Sequence, residues 1–218
     1  ALKTEDANGD NVAVGYQALK TLNAGADAFN TALGYQAGLA ATTGQFNNLI
    51  GAQAGLALTT GGRNTVNGFG ALGADTLGSR AVAIGFGALD AQNFTTATDN
   101  YNVAVGYDAG GAVTTGVQNT LIGGLAGTAI TTGIENVLVG YAAGDALTDA
   151  DFNVAVGRAA LSSDTKGSKS TAIGQGALNV QNFTTATDTF NTAVGFFAGL
   201  SVTTGTNNTL IGGLAGDA

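Results

Sequence analysis

A glycine followed three residues later by an alanine recurs along the whole chain, and its spacing constrains the fold more than any other feature. The glycines are Gly15, Gly34, Gly51, Gly68, Gly85, Gly106, Gly123, Gly140, Gly157, Gly174, Gly195 and Gly212. Their separations are 19, 17, 17, 17, 21, 17, 17, 17, 17, 21 and 17 residues. The unit is therefore 17 residues long, N-[TV]-[AL]-[VI]-G-x-x-A-[GL]-x-x-x-T-T-G-x-x, present twelve times with three lengthened copies. Position 5 is always Gly and position 8 always Ala, from Ala18 to Ala215. A short fixed period means that each unit buries its apolar residues only by stacking on its neighbours.

A longer period overlies the short one. Gly85 and Gly174 lie 89 residues apart, and the string QNFTTATD stands intact at 92–99 and 181–188, so a five-coil block has been duplicated. Ala1-Leu2-Lys3-Thr4 matches Ala18-Leu19-Lys20-Thr21 at an offset of 17, and Ala218 falls at position 11 of a unit. We therefore expect a slice of a longer array.

Composition narrows the chemistry. The 218 residues include 36 Gly but no Pro, Cys, Met, Trp or His. Without Cys or His there is no thiolate nucleophile, disulfide, zinc or haem ligand set, or imidazole acid–base. We expect no catalytic residue, no metal and no cofactor. Seven basic against 15 acidic residues give a net charge of −8, which disfavours nucleic acid as a partner. The sequence offers no apolar run for membrane insertion by this segment. Yet 44% of residues are hydrophobic, enough to build a core.

A helix is excluded by the recurring glycines, each costing roughly 1 kcal/mol in a helix interior. Positions 2–4 read as a short strand, as in Thr31-Ala32-Leu33 and Val103-Ala104-Val105. A second strand is expected at positions 11–14, as in Ala57-Leu58-Thr59-Thr60. Glycines at positions 5 and 15 are expected where each strand turns with φ > 0. Stacking gives parallel ladders about 4.8 Å apart, and twelve coils make a rod of roughly 55–60 Å. The expected fold is an all-β parallel β-solenoid, a left-handed β-roll of about twelve 17-residue coils with two short strands each. It forms one array over 1–218, with candidate loops in the lengthened coils at 20–29, 90–101 and 179–190.

Two exchange patterns bear on packing. Position 9 is Gly or Leu, and position 12 follows it: Gly55 precedes Leu58, whereas Leu72 and Leu161 precede Asp75 and Asp164, and Leu2 precedes Glu5. This suggests one core slot per coil, filled from position 9 or from position 12. Positions 3 and 4 are both apolar, although adjacent strand residues point to opposite faces. Position 3 (Ala13, Ala32, Leu49, Leu121, Leu138, Leu210) is therefore expected to face a second buried surface, most simply a partner chain.

The unit Asn11-Val12-Ala13-Val14-Gly15-Tyr16-Gln17-Ala18 resembles head repeats of trimeric autotransporter adhesins. It is still more similar to the NTAxGxxAL…TTGxxN arrays of phage tail fibres and related bacterial surface proteins. The resemblance covers nearly the whole chain. It implies a left-handed parallel roll, three chains about one axis, and a binding or spacer role at a cell or virion surface. The implied partners are the chain itself, as a homotrimer or filament neighbour, and a cell-surface receptor or glycan.

Position 1 carries Asn11, Asn30, Asn47, Asn64, Asn102, Asn119, Asn136, Asn153, Asn191 and Asn208, interrupted by Ala81 and Ser170. A buried amide ladder is the expected role. Thr pairs at positions 13 and 14 raise ice binding, but adjacent threonines point apart and the row breaks at Leu77, Asp149 and Lys166. Aromatics at position 6 (Tyr16, Tyr35, Phe69, Phe86, Tyr107, Tyr141, Phe196) offer a sugar-stacking stripe, or else seal a corner or a chain–chain seam. Candidate binding loops hold Asn93, Phe94, Asp99, Asn182, Phe183 and Asp188, where one carboxylate per loop is thin for calcium. Asn93, Asn182 and Asn207 head formal glycosylation sequons. The acids are scattered, with no recurring catalytic face. The sequence thus reads as a non-enzymatic structural or adhesive shaft, with a self-assembling extracellular filament subunit as the alternative and an ice- or glycan-binding solenoid behind it.

Overall fold

The computed structural model describes residues 1–3 and 9–217. Among these, every regular element is a β-strand, and the chain is a parallel β-solenoid of about twelve coils roughly 17 residues apart. It divides into two compact units, Ala1–Tyr107 and Asp108–Ala218. The coil strands of the first unit are β1 (Val12–Val14), β2 (Thr31–Leu33), β3 (Asn48–Ile50), β4 (Thr65–Asn67), β6 (Val82–Ile84) and β8 (Val103–Val105). Those of the second are β9 (Thr120–Ile122), β10 (Val137–Val139), β11 (Val154–Val156), β13 (Thr171–Ile173), β15 (Thr192–Val194) and β16 (Thr209–Ile211). Within each unit every strand pairs parallel and in register with its neighbour, position for position: Asn48 lies opposite Thr65 and Val137 opposite Val154.

Positions 2–4 are extended because β-branched and apolar residues favour a pleated surface and because both ladder edges are bonded. Thr31 N donates to Asn47 O at 2.8 Å, and Gly51 N to Leu33 O at 2.8 Å. Position 5 then turns. Gly51 takes φ 128°, and a Cβ there would lie 2.6 Å from Gly68 O, so both torsion and space require glycine.

The expected second strand at positions 11–14 does not form among the described residues. Instead, three overlapping turns run from position 5 to position 12, bonded Ala54 to Gly51 (3.3 Å), Leu56 to Gln53 (3.2 Å) and Leu58 to Gly55 (3.2 Å). Positions 7 and 9 both have φ > 0, as at Gln53 (60°) and Gly55 (58°) or Gln17 (59°) and Leu19 (48°). Two left-handed residues so close together cannot continue a strand. The position-15 glycines also differ from expectation, since Gly44 is not left-handed. It is required for space, because a Cβ would sit 2.5 Å from Gly61 O. The extra strands are two-residue pieces at positions 15–16, β5 (Gly78–Ser79) pairing β7 (Thr98–Asp99) and β12 (Gly167–Ser168) pairing β14 (Thr187–Asp188).

The core consists of four columns, at positions 3, 8, 9 and 12. Position 8 alanines from Ala18 to Ala198 are fully buried. Leu72 and Leu161 at position 9 are buried, as are Leu58, Ile130 and Leu147 at position 12, so both sets share one interior. Position 3 is buried as well (Ala32, Leu49, Leu121, Leu138), and it packs inside its own solenoid rather than against a second surface. The outward strand positions are 2 and 4. The volume exchange runs chiefly between positions 3 and 9. Leu49, Leu121 and Leu138 accompany Gly55, Gly127 and Gly144, whereas Ala83, Ala155 and Ala172 accompany Leu89, Leu161 and Leu178. A Cβ on Gly144 would lie 2.9 Å from Leu138 Cδ1.

Position 12 points inward even where it is acidic. Asp75 and Asp164 are fully buried, while Glu5, grouped with them by sequence, lies outside the described residues. Asp75 Oδ1 accepts from Gly78 N (3.0 Å) and Phe94 N (3.2 Å), and its Oδ2 accepts from Gln92 Nε2 (2.6 Å). Gln92 Oε1 in turn accepts from Asn102 Nδ2 at 2.8 Å. Asp164, Gln181 and Asn191 repeat the arrangement in the second unit, with Ser170 and Thr189 joining it. Three donors on each carboxylate offset the cost of burying a charge.

The position 3/9 exchange is testable. Leu138→Ala should lose about 2–5 kcal/mol through cavity formation. Adding Gly144→Leu recreates the Ala155/Leu161 pairing on a backbone that already matches, φ 55° at Gly144 against 54° at Leu161. Denaturant unfolding should show most of the loss recovered in the double variant. Additive destabilisation of the two changes would refute the exchange.

Candidate functional site: the outward strand face

In each coil, positions 1 and 3 point inward and positions 17, 2, 4 and 6 point outward, so four columns form one face of each unit. In the first unit every large apolar side chain that is exposed, among the described residues, lies on these columns. They are Phe29, Phe46 and Tyr101 at position 17, Val12 at position 2, and Val14, Leu33 and Ile84 at position 4. Tyr16, Tyr35, Phe69, Phe86 and Tyr107 complete the set at position 6. The second unit shows the same preference at Ile122, Val137, Tyr141, Phe152, Ile173, Phe190, Phe196 and Ile211, with Val180 and Leu214 lying off the columns.

The position-6 rings do not seal a corner. Tyr16 is 65% and Tyr107 61% exposed. The rings stack along the column: Tyr16 on Tyr35 (5.6 Å, 13°), Phe69 on Phe86 (5.4 Å, 12°) and Phe86 on Tyr107 (5.5 Å, 11°). Within these stacks the faces lie against one another and the edges point outward, whereas Tyr141 stands between Gly124 and Arg158, and Phe196 between Gln175 and Gly213, in the same column. The stacks of the first unit thus leave little open ring face for a sugar.

Position 17, where no residue type recurs regularly, makes the opposite border. Phe29 stacks on Phe46 (5.6 Å), Arg63 lies over Phe46 (5.4 Å), Arg80 over Tyr101 (5.5 Å) and Lys169 over Phe190 (5.3 Å). The residue types vary too much to show as a motif. What turns it outward is a left-handed backbone just before the strand, φ 51° at Phe29, 61° at Arg63 and 63° at Lys169. Each face carries two cations and one acid (Arg63, Arg80 and Asp10; Arg158, Lys169 and Glu135) on a chain of net charge −8.

The position-1 asparagines lie behind this face. Asn30, Asn47, Asn64, Asn102, Asn119, Asn136, Asn153 and Asn191 are buried. Asn47 Oδ1 accepts from Asn64 N (3.1 Å) and its Nδ2 donates to Gly61 O (3.0 Å), joining the strand to the far turn of its own coil and to the next coil. At the breaks, Ala81 N and Ser170 N still donate to Asn64 Oδ1 and Asn153 Oδ1, both within 2.9 Å. Asn11 and Asn208 are half-buried. Position-13 hydroxyls are likewise spent between coils, with Thr59 Oγ1 donating to Thr76 O (2.9 Å) and Thr114 Oγ1 to Thr131 O (3.0 Å). Such a row has its donors committed before any ordered water meets it.

The lengthened coils place their candidate residues in different settings. Phe94 and Phe183 are buried, so they anchor the insertions and do not project. Asn93 and Asn182 are exposed and accept from Thr76 Oγ1 (3.0 Å) and Thr165 Oγ1 (3.2 Å). Asp99 pairs with Arg80 at 2.9 Å and Asp188 with Lys169 at 2.6 Å, both exposed. No group of three metal-ligating side chains forms among the described residues. A shallow hollow lies off the face, over Gly70 and Gly73, bordered by Gln53, Leu56 and Asp90.

One carboxyl in the second unit is unsettled. Asp145 Oδ1 is buried without a hydrogen-bond partner among the described residues, and burial raises its pKa above the usual aspartate value. A raised folded-state pKa contributes stability that is full below the unfolded value and lost as pH rises through the folded one. Asp145→Asn should therefore be at least as stable as the parent at pH 7, and the difference should shrink toward pH 4. Denaturation midpoints across that range check this, and a parent that gains on the variant as pH rises would contradict it.

With this geometry in place, comparison with known proteins supplies no further guide: no family model, no curated protein and no solved structure matches the chain.

Proposed function

We propose that the chain is a non-enzymatic shaft segment of a fibrous surface protein, self-associating through its outward strand faces and serving as a spacer or adhesive element outside the cell or virion. The observation that carries this reading is the confinement of exposed apolar side chains in the first unit to four adjacent columns. A contiguous apolar face of this kind marks a protein–protein contact. The non-enzymatic part rests on composition, a chain without His or Cys whose acids are dispersed. The resemblance of the repeat to adhesin-head and tail-fibre arrays supports a left-handed winding, a surface location and three associating chains.

Sedimentation velocity over a hundredfold concentration range tests the reading. A bounded oligomer is expected, and Ile84→Asp with Phe86→Asp should weaken association at least tenfold while leaving the β signal of the fold intact. A mass that grows without limit would move the chain to the filament reading. A monomer at every concentration would refute self-association.

A further inference from the structure

The side chains that border the strand face also say how two copies meet. We infer that the first unit pairs face to face with the first unit of a second copy about a two-fold axis parallel to its stacking direction, coils level with coils. This rests on the self-association proposed above and departs from the three-chain arrangement implied by the resemblance.

A two-fold contact is isologous: if residue i meets residue j, then j meets i. An axis along the stack carries the position-17 column of one copy onto the position-6 column of the other, and position 2 onto position 4. Both copies share one coil spacing, so register held at one level is held at the next. The two border columns of this chain complement each other level by level. Arg63 at position 17 meets Phe69 at position 6 across the interface, and Arg80 meets Phe86. These guanidiniums already rest on aromatic faces within their own column, on Phe46 and Tyr101. Pairing gives each a second ring to meet and shields it from water, which strengthens cation–aromatic contact. Tyr101 meets Tyr107, an aromatic pair. In the second unit the polarity reverses at one level and the match holds, with Phe152 at position 17 opposite Arg158 at position 6. At no level of either unit do two like charges fall opposite each other.

The size of the face is of the right order. Six coils make one unit roughly 29 Å tall, and the six steps from position 17 to position 6 span at most about 20 Å. That is at most about 600 Å² in plan, against about 800 Å² per partner in a stable interface. The middle columns are small and flat, Val, Thr and Ile for the most part, as sheet-on-sheet packing requires.

The chain has no cysteine, so engineered thiols report the geometry without background. The full chain carrying Arg63→Cys and Phe69→Cys should oxidise to a covalent dimer. The two positions flank the same strand from opposite borders, too far apart to join within one chain. A second pair, Phe29→Cys with Arg80→Cys, brings thiols together only if the copies run in opposite directions, and it should stay uncrosslinked. Sedimentation of the unmodified chain should give twice the chain mass. Crosslinking of the second pair, or a trimer mass, would overturn the two-fold parallel arrangement and leave self-association standing. A monomer would overturn both.

Discussion

Everything in this fold depends on how closely one coil lies on the next. Backbone bonds at positions 2 and 5, 2.8 Å between Thr31 N and Asn47 O and between Gly51 N and Leu33 O, clamp each strand to both neighbours. At that separation a Cβ at position 5 would lie 2.6 Å from the next backbone at Gly51, and one at position 15 would lie 2.5 Å from it at Gly44, although position 15 admits Ala150 in one coil. The invariance of position 5 follows from that contact. The same contact holds non-glycine residues in the left-handed region at positions 7 and 9. Their strain persists because the inter-coil bonds over-determine the backbone.

With spacing fixed, the interior is a volume problem solved within a coil and across its neighbours. In most coils leucine enters from position 3 or from position 9 with a smaller residue at the other, and where both are small, as at Ala32 and Gly38, leucines of the adjoining coils (Leu19 and Leu49) fill the space. Position 12 completes the fill with a leucine, isoleucine or valine, or with a carboxylate and an amide in successive coils. The Asp75–Gln92–Asn102 and Asp164–Gln181–Asn191 networks show that this interior accepts a charge when the backbone bends to supply donors. Both carboxylates also bind the insertions, through Phe94 N and Phe183 N. The lengthened coils are thus tied to the core by the residues that seemed least suited to it.

Function rests on what this packing leaves outside. Because positions 1 and 3 are committed to the amide ladder and the core, the alternation of the strand turns positions 2 and 4 outward, and the turns at its two ends expose positions 17 and 6. Two aromatic and cationic borders enclose a flat aliphatic strip. Stacked rings present edges, and the threonine hydroxyls are engaged between coils, so the chemistry of this surface suits another flat protein face better than a sugar or an ordered water layer. The insertions add exposed ion pairs near the position-17 border, Arg80 with Asp99 and Lys169 with Asp188.

The period of 17, the strand at positions 2–4 and the parallel stack were legible in the chain, because a repeating register with glycine at one fixed place admits few alternatives. So was burial at position 9, since Gly and Leu exchange there against a compensating position. Three things were decided only by the tertiary structure. The expected second strand gave way to consecutive turns, because left-handed residues at positions 7 and 9 look ordinary in sequence (Gln53, Leu161) and are imposed by the coil beneath. Position 3 proved to be interior and position 4 exterior, since two adjacent apolar residues do not declare which one faces the core. The position-17 column emerged only from side-chain direction, for its residues share no identity, only a left-handed backbone just before the strand.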